Sequence, residues 1–281
     1  VYVNTEYTSY GIYREDKLLN VANQYNCDFF SIEDYLLHPI NEILTGSGSF
    51  YSVFTPFYNK AITFNVTKPS KPSKNNLKKF VNSRYVLKKS IDIDSVKKIY
   101  DPDKLIDSSK QLPDFEATRK EALKRTKRMK DQKRYEFTRD NLELETTKLS
   151  PYIKFGIISI REVYHEIKNL FGKKHHLIKQ LYWREFYYNL AFNRQDLFDG
   201  ASFRPSYDNI VWKTDVKLLK KWKTGTTGYP IVDAGIRELN QTGYMHNRAR
   251  LITSNFLVKH LFIDWRHGEK FFSQHLVDLD F

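Results

Sequence analysis

The chain is poor in cysteine, in acidic residues and in long apolar runs, and each shortage excludes a class of protein. The single cysteine, Cys27, rules out an internal disulfide and fits an intracellular, reducing compartment. No apolar stretch reaches the roughly 18 to 20 residues that a membrane-spanning helix needs, and none resembles a secretory signal peptide. Acidic residues number 33 against 46 lysines and arginines, and the net charge of +13 favours polyanionic partners such as nucleic acid.

The composition that remains is typical of a globular protein rich in aromatic side chains. Of the 281 residues, 41% are hydrophobic and 15% aromatic, which is enough for one large core or two modest ones. Core packing alone explains most of the aromatic residues. The polarity pattern divides the chain into three zones: residues 1–66, a polar, proline-punctuated linker at 67–115, and a helical zone at 116–281.

The first zone alternates short apolar runs with a helical segment. Val1–Val3 and Cys27–Ser31 have the composition of strands, and Lys17–Gln24 is predicted as a helix between them. Strands that alternate with helices indicate an α/β unit with a parallel sheet. Because two strands are too few for a stable sheet, we expect this zone to be the back end of a domain whose front is missing.

The third zone predicts a helical domain, because its apolar residues recur at helical spacing between capping residues, prolines and glycines. The expected helices are Ala117–Tyr135, Ser159–Leu170, His176–Phe192, Pro230–Thr242, Met245–Phe262 and Gly268–Val277. The fold class predicted for the whole chain is therefore a partial α/β domain with an incomplete parallel sheet, followed by an all-α domain.

The most informative stretch comprises residues 222–250. A glycine turn leads into a helix that begins at Pro230, and Gly243 separates this helix from the next. Three amide or guanidinium side chains open the second helix beside apolar neighbours: Asn247, Arg248 and Arg250. An ordinary core helix does not concentrate such groups, so the stretch predicts a buried site for a large polar ligand.

A run of positive charge precedes a candidate anion site. Between Arg119 and Arg139 lie ten lysines or arginines and three acids, and a solvated helix face explains most of this run. Its end, Tyr135–Asp140, brings an aromatic ring and a cation just ahead of Thr146–Pro151. Hydroxyls in series before Ser-Pro are typical of a capped helix start, where amides and hydroxyls can hold a phosphate.

Six motifs occur in a fixed order along the chain. They are Thr146–Pro151, Trp183–Tyr187, Thr227–Asp233, Met245–Arg248, Ile263–Glu269 and Asp278–Asp280. Their order and separations, together with Tyr51–Tyr58 near the front, resemble the DNA photolyase/cryptochrome family over essentially the whole chain. Within that family, Met245–Arg248 and Thr146–Pro151 most resemble the class I enzymes, which repair cyclobutane pyrimidine dimers. The first zone then corresponds to part of the family's antenna domain.

The resemblance implies FAD inside the helical domain, active in its reduced form. It assigns the diphosphate and its surroundings to Tyr135, Thr146, Thr147, Lys148, Leu149, Ser150 and Arg184. Asn247 would face the reactive flavin edge, Arg250 would support the cofactor, and Asp278 and Asp280 would reach the ribityl or isoalloxazine side. An arginine and an amide stabilise a reduced, anionic flavin, which performs the chemistry while the protein positions it. A second, antenna chromophore of unassigned identity is compatible with the resemblance.

The resemblance also implies light-driven repair of UV-damaged DNA. Photolyases belong to the enzymes that flip their target base, and an electron would pass from excited reduced FAD to the flipped dimer. Asn247 and Gln180 are the expected catalytic residues. The expected DNA-binding residues are Arg139, Gln180, Trp183, Asn247, Arg248 and Leu251. Trp183 would stack on the dimer, and Trp212 and Trp265 match two members of a tryptophan relay that photoreduces the flavin.

The sequence departs from the family pattern in two places. Gln180 stands where class I enzymes usually carry Glu, and Tyr244 stands where many carry Trp. Gln can donate a hydrogen bond but cannot supply a proton. Because the family continues beyond the equivalent of Asp280, we expect a chain truncated at both ends. Two alternatives therefore remain, a cryptochrome-like flavin photoreceptor without repair and an inactive photolyase fragment. We expect a monomer with no bound metal.

Overall fold

The computed structural model describes residues 1–70 and 115–280, so most of the predicted linker at 67–115 lies outside the described residues. Helices and strands are numbered here in chain order over the described residues. Within them, no helix combines the length and hydropathy needed to cross a membrane. The predicted zone boundaries at 66 and 115 stay predictions.

The N-terminal zone contains a two-stranded parallel sheet. Strands β1 (Tyr2–Asn4) and β2 (Phe30–Ile32) pair with Tyr2 opposite Phe30, and helix α1 (Ser9–Gln24) connects them. This confirms the incomplete parallel sheet. The helix begins eight residues earlier than predicted, because the Thr8 side chain accepts a hydrogen bond from the Gly11 amide at 3.0 Å and caps it there. The second strand begins three residues later than predicted.

The rest of the described chain is helical. Its helices are α2 (Phe54–Ala61), α3 (Arg119–Arg128), α4 (Tyr135–Thr138), α5 (Ser150–Lys154), α6 (Ile160–Phe171), α7 (His176–Asn193), α8 (Val216–Thr224), α9 (Pro230–Thr242), α10 (Asn247–Asn255) and α11 (Trp265–His275). Helix α9 has the predicted bounds. Pro230 occupies its first turn, and Gly243 ends it with φ of 67°, a left-handed conformation that favours glycine.

Three predicted helices of the third zone differ from the observed bounds by more than one residue. The helices predicted at 159–170 and 176–192 differ by one residue. The helix predicted at 117–135 ends at Arg128, where the chain tightens into a 3₁₀ turn, Met129–Gln132, that buries Met129. The helix predicted at 245–262 begins at Asn247, where the His246 side chain caps it, and becomes a π-helix at Phe256–His260. The last helix begins three residues early, because the Asp264 side chain accepts a hydrogen bond from the Arg266 amide at 3.0 Å.

Two main apolar clusters form the core. The first packs α2, α6 and α7 together, with Phe57, Tyr164 and Ile178 almost fully buried. The second packs α8 to α11 around Trp222, whose indole Nε1 donates to the Thr253 carbonyl at 2.9 Å. A large cavity borders the first cluster and reaches Leu276, which packs against the second. The fold therefore places a cavity between its two apolar clusters.

Candidate active site

The cavity has a volume of about 550 Å³ and an uneven lining. Most of its wall is apolar, supplied largely by residues of the first cluster. The remainder is polar or charged, supplied by Tyr135, Thr147, Ser150, Gln180, Arg184, Tyr187, Arg250, Asp278 and Asp280. A cavity of this size, apolar with a few convergent polar groups, has the properties of a small-molecule site.

The first charged group of the lining is the ion pair between Arg184 and Asp280. Arg184 Nε donates to the Asp280 carboxylate, and Nη1 donates to the Tyr35 carbonyl at 2.7 Å. The guanidinium lies 4.3 Å from the Tyr35 ring centroid and 4.7 Å from that of Tyr188, so two aromatic rings support it. Lys154 lies 3.6 Å from the same carboxylate. Nη2 of Arg184 is buried and has no hydrogen-bond partner.

The second charged group joins Arg250, Asp278 and Ser150. Arg250 Nη2 donates to both oxygens of Asp278 at 2.9 Å, and its Nε donates to the Met245 carbonyl at 2.8 Å. The Ser150 hydroxyl donates to Asp278 at 2.5 Å. The prediction that this serine caps a helix is wrong, because Ser150 is the first residue of α5 and its hydroxyl is engaged by the buried carboxylate.

A smaller cavity of about 160 Å³ adjoins the first and shares Tyr135, Thr147, Leu149, Ser150 and Gln180 with it. The further residues that line it are Arg139, Asp140, Thr146, Lys148, Tyr244, His246, Asn247 and Arg248. Lys148 has φ of 46°, a left-handed conformation uncommon for a residue with a side chain. Three cations and an exposed asparagine at its edge make this cavity the polar extension of the larger one.

Burial and neighbouring charge shift the titration of several groups in the smaller cavity. A hydrogen bond from Arg248 lowers the pKa of Asp140, which lies on the surface. Burial, assisted by Arg248 and Arg250, lowers the pKa of His246, which favours the neutral imidazole. The Nδ1 atom of that imidazole accepts from the Arg248 amide at 3.1 Å, while Nε2 is buried without a partner.

All eleven residues predicted to contact FAD line one or both of these cavities. Eight of them border the larger one: Tyr135, Thr147, Leu149, Ser150, Arg184, Arg250, Asp278 and Asp280. Thr146, Lys148 and Asn247 border the smaller one alone. Sequence positions that are up to 145 residues apart thus meet in one place, as the resemblance implied. The role of each residue stays a prediction.

The predicted DNA-binding residues divide into two groups. Arg139, Gln180, Asn247 and Arg248 line the smaller cavity, and Gln180 lines both. Trp183 and Leu251 line neither. The Trp183 ring instead lies parallel to Phe54 with centroids 3.6 Å apart and packs against the first apolar cluster, while Leu251 is exposed on α10.

The two predicted relay tryptophans also lie outside the lining of both cavities. The Trp212 ring is 5.3 Å from that of Phe262, and Trp265 opens α11 with the Arg266 guanidinium 4.7 Å from its ring centroid. Both are partly exposed. Their role in electron transfer stays a prediction.

Sequence reasoning missed three residues that shape the site: Tyr35, Tyr188 and His246. Tyr188 had a signal, because it lies one helical turn after Arg184 and therefore on the same face of α7. His246 belongs to the Met245–Arg248 motif, but nothing in the motif indicates that its side chain caps α10. Tyr35 had no local signal, because it reaches Arg184 from 149 residues away.

The residues present fit FAD. The apolar wall suits a flat ring system, while the hydroxyls, guanidinium groups and carboxylates suit a ribityl-diphosphate chain. The buried, unpartnered Nη2 of Arg184 is the observation that asks for a ligand, since a buried donor without an acceptor costs about 1 to 3 kcal/mol. An acceptor oxygen on a bound molecule would satisfy it.

Comparison with known proteins agrees with this geometry. Residues 177–281 match the family model described as the FAD binding domain of DNA photolyase, and residues 1–74 match the model described as DNA photolyase. The deoxyribodipyrimidine photo-lyase of Alkalihalophilus pseudofirmus is 33% identical over 293 residues, an alignment that covers 100% of this chain and 58% of that protein.

Two solved structures are similar over nearly the whole chain. An archaeal photolyase from Sulfolobus tokodaii, determined with two FAD molecules, gives a TM-score of 0.79 at 35% identity, covering 99% of this chain and 58% of that one. A class III photolyase from Agrobacterium tumefaciens gives a TM-score of 0.77 at 31% identity, covering 100% and 58%. This chain thus spans about 58% of the length of these relatives.

These likenesses confirm the predicted fold class, and they confirm a FAD-binding domain, matched at residues 177–281. The predicted start of that domain at residue 116 stays a prediction. They do not test the preference for class I, and one similar structure is of class III. Two models of one family match the two ends of the described chain, and the relatives align across the whole of it. The chain belongs to the DNA photolyase/cryptochrome family.

Proposed function

We propose that this chain binds FAD in the larger cavity and uses it for light-driven repair of cyclobutane pyrimidine dimers in DNA. The observation that carries the proposal is the lining itself. Two arginine–aspartate pairs border one apolar cavity, at positions that match the FAD-binding motifs of the family, and one guanidinium nitrogen of Arg184 is buried without a partner. The chemistry that reduced FAD supplies when bound is the light-driven transfer of an electron to the dimer.

The residues of the larger cavity would hold and orient the cofactor. Asp278 fixes the guanidinium plane of Arg250 through both carboxylate oxygens, and Asp280 with two aromatic rings fixes that of Arg184. These groups are in position before any ligand arrives, so little side-chain entropy is lost on binding. Leu149 and Ile153 belong to the apolar wall, which would exclude water from the ring system.

The residues of the smaller cavity would receive the DNA. Arg139, Lys148 and Arg248 supply positive charge for phosphates, in a chain whose net charge is +13. Gln180 lines both cavities, so its amide could donate to a carbonyl of a flipped base while it borders the cofactor. Asn247 lies exposed at the start of α10 and could contact either ligand.

One observation favours the alternative, a flavin photoreceptor without repair. The expected dimer-stacking residue, Trp183, has one face covered by Phe54 at a centroid distance of 3.6 Å and does not line either cavity. A photoreceptor needs FAD but needs no stacking surface for a damaged base.

The test separates FAD binding from repair. The purified chain is mixed with FAD, passed through a desalting column, and its visible absorption is recorded. It is then reduced and illuminated with an oligonucleotide that contains one thymine dimer. We expect a flavin spectrum and light-dependent loss of the dimer. A colourless chain would refute the proposal as a whole, while a flavin spectrum without dimer loss would favour the photoreceptor.

A matched pair of variants locates the DNA interface. Arg248→Gln removes a cation of the smaller cavity, whereas Arg134→Gln removes an exposed cation that lines neither cavity. We expect Arg248→Gln to weaken binding of dimer-containing DNA and to reduce its dependence on salt, because one fewer phosphate is neutralised. Equal effects of the two variants would contradict the assignment of the smaller cavity to DNA.

A further inference from the structure

The Arg184–Asp280 pair is held from outside the cavity by a residue of the N-terminal zone. The Tyr35 carbonyl accepts from Arg184 Nη1 at 2.7 Å, and its ring lies 4.3 Å from the guanidinium carbon. Its hydroxyl donates to the Lys154 carbonyl at 2.8 Å and lies 3.3 Å from Asp280 Oδ1. Tyr35 thus contacts both members of the pair, although its own side chain does not line the cavity.

Residues 35–41, called the segment below, are hydrogen-bonded to α7, the helix that carries Arg184. Glu185, the residue after Arg184 on α7, is fully buried and accepts from the Leu37 amide at 2.9 Å and the His38 amide at 2.8 Å. Neighbouring residues of α7, about 100° apart around the helix axis, therefore both bind the segment. Arg184 lines the cavity and also contacts Tyr35, while the Glu185 carboxylate binds the Leu37 and His38 amides, so together they hold residues 35–38 in one position.

The segment continues along α7 for two more turns. The Asn41 amide donates to the Asn189 side chain at 3.1 Å, and the Asn41 side chain accepts from Asn193 at 2.8 Å. Contacts spaced four residues apart on one helix fix the register of the segment along it. Because the register is fixed, the position of the Tyr35 ring behind Arg184 is fixed as well.

We propose that Tyr35 is a positioning residue for the cofactor cavity, which holds Arg184 and Asp280 in the geometry that receives FAD. The inference rests on the proposed FAD site and extends it to the N-terminal zone. The carbonyl of Tyr35 and the Asp280 carboxylate engage two of the three guanidinium nitrogens of Arg184, and the third, Nη2, has no partner. The N-terminal zone is then part of the binding site and not only a neighbour of it.

The test measures FAD affinity in the 281-residue chain by fluorescence titration. Tyr35→Leu removes the ring and the hydroxyl and should raise the Kd for FAD roughly tenfold, the effect of losing a desolvated cation–π contact and a hydrogen bond. Tyr35→Phe keeps the ring and the carbonyl, so it should restore most of the affinity. Tyr10→Leu, at a 70% exposed tyrosine, is the control and should leave the Kd unchanged.

A double-mutant cycle distinguishes positioning from a merely structural role. If Tyr35 acts through the Arg184–Asp280 pair, then Tyr35→Leu should weaken FAD binding much less in an Asp280→Asn background than in the wild type. The visible band of bound FAD should also change shape in Tyr35→Leu, because the environment of the ring system changes. A lower melting temperature with an unaltered Kd and unaltered spectrum would overturn the inference.

The outcomes keep this inference and the proposed function apart. A wild-type chain that binds no FAD refutes the proposed function, and the role of Tyr35 falls with it. A wild-type chain that binds FAD, with Tyr35→Leu of equal affinity or with strictly additive effects in the cycle, refutes the role of Tyr35 and leaves the FAD site standing.

Discussion

Two sides of the larger cavity are built in different ways. The α7 side contains Arg184 and Asp280, and the α10 side contains Arg250 and Asp278. On the α7 side, Arg184 is held by a carboxylate, a backbone carbonyl and two aromatic rings, and its side chain is only 14% exposed. On the α10 side, Arg250 is 25% exposed and Asn247 is exposed at the helix start. The α7 side is tied into the first apolar cluster and the N-terminal segment, whereas the α10 side opens toward the smaller cavity.

This difference separates the tasks of the two sides. Groups enclosed by packing are in place before the ligand binds, and removing one of them exposes a buried charge or a void. Groups at an open edge cost little to remove, because water replaces their partners. Changes on the α7 side should therefore act on folding stability as well as on binding, and changes on the α10 side mainly on binding.

The largest difference should follow from removing the two carboxylates. Asp280→Ala leaves the buried Arg184 guanidinium without its counter-ion and should lower the free energy of unfolding by roughly 3 to 5 kcal/mol. Asp278→Ala leaves Arg250, which water can reach, and should cost about 1 to 3 kcal/mol. Urea denaturation of both variants measures the difference. Asp196→Ala, which breaks an exposed pair with Arg194, is the control and should cost much less than either.

An equal cost for Asp278→Ala and Asp280→Ala would break the comparison between the two sides. It would mean that Arg184 reaches water as readily as Arg250 does once its carboxylate is gone.

Trp183 gives the second test, since it lies on α7 yet is predicted to bind DNA. Trp183→Ala removes a ring stacked on Phe54 and should cost about 3 kcal/mol of unfolding free energy, while Trp183→Phe should recover most of it. Below the unfolding temperature of the alanine variant, DNA binding is measured separately. A loss of roughly 1 to 3 kcal/mol in affinity for dimer-containing DNA would support stacking on the base. Unchanged affinity would limit Trp183 to packing.

The contact between α7 and the N-terminal segment should also depend on pH. Burial raises the pKa of Glu185 to about 7, although the amides of Leu37 and His38 and the charge of Arg184 oppose this shift. The folded protein then keeps a proton on Glu185 between about pH 4.5 and 7 that the unfolded chain releases, so stability falls as pH rises through this window.

His38 acts in the opposite direction. Burial, assisted by Lys173, lowers its pKa to about 4, so the unfolded chain takes up a proton below about pH 6.5 that the folded protein refuses. Stability therefore falls as pH drops from about 6.5 to 4. The two effects oppose each other over their common range, and above about pH 6.5 the linkage from Glu185 remains.

The variant Glu185→Gln removes the pH dependence of stability that comes from Glu185 and keeps that from His38. We expect the difference in unfolding free energy between wild type and this variant to change by roughly 2 to 3 kcal/mol between pH 5 and pH 8, with the wild type losing stability toward high pH. Thermal unfolding at several pH values measures it, with Glu269→Gln, an exposed glutamate, as the control. Parallel pH profiles for wild type and Glu185→Gln would show that Glu185 is ionised in the folded protein at all these pH values.

The sequence predicted the local elements of both sides but not the distant contacts of the α7 side, and the reason is physical. The α10 side is encoded locally: Pro230 starts a helix, Gly243 ends it, and Asn247 to Arg250 follow within one turn. The α7 side depends on Tyr35, which meets Arg184 across 149 residues, and on Asp280 from the other end of the chain. Periodicity reports the apolar face of a helix, but it carries no information on which distant backbone carbonyl will meet a guanidinium.

The same limit explains the error at Ser150 and the open question at Trp183. Ser-Pro is a local signal for a helix start, and α5 does begin at Ser150. The partner of the hydroxyl, Asp278, is set by tertiary packing and cannot be inferred from the local pattern. The family motif likewise locates Trp183 on α7 but does not reveal that Phe54 covers one face of its ring.

Asn247 should give the smallest effect on folding and the clearest effect on the cofactor. It is exposed at the start of α10, where the His246 side chain provides the cap, so Asn247→Ala should change the unfolding free energy by less than about 0.5 kcal/mol. If its amide faces the reactive edge of the flavin, the variant should shorten the lifetime of the reduced cofactor in air, measured from the return of the oxidised absorption band. Asn255→Ala, at the far end of the same helix, is the matched control.

An unchanged lifetime of the reduced cofactor in Asn247→Ala, with FAD bound, would show that Asn247 does not act on the flavin. Contact with DNA would then be its remaining proposed role. A large loss of stability would instead place it with the enclosed groups of the α7 side, and the division of the cavity into a packed side and an open side would no longer hold.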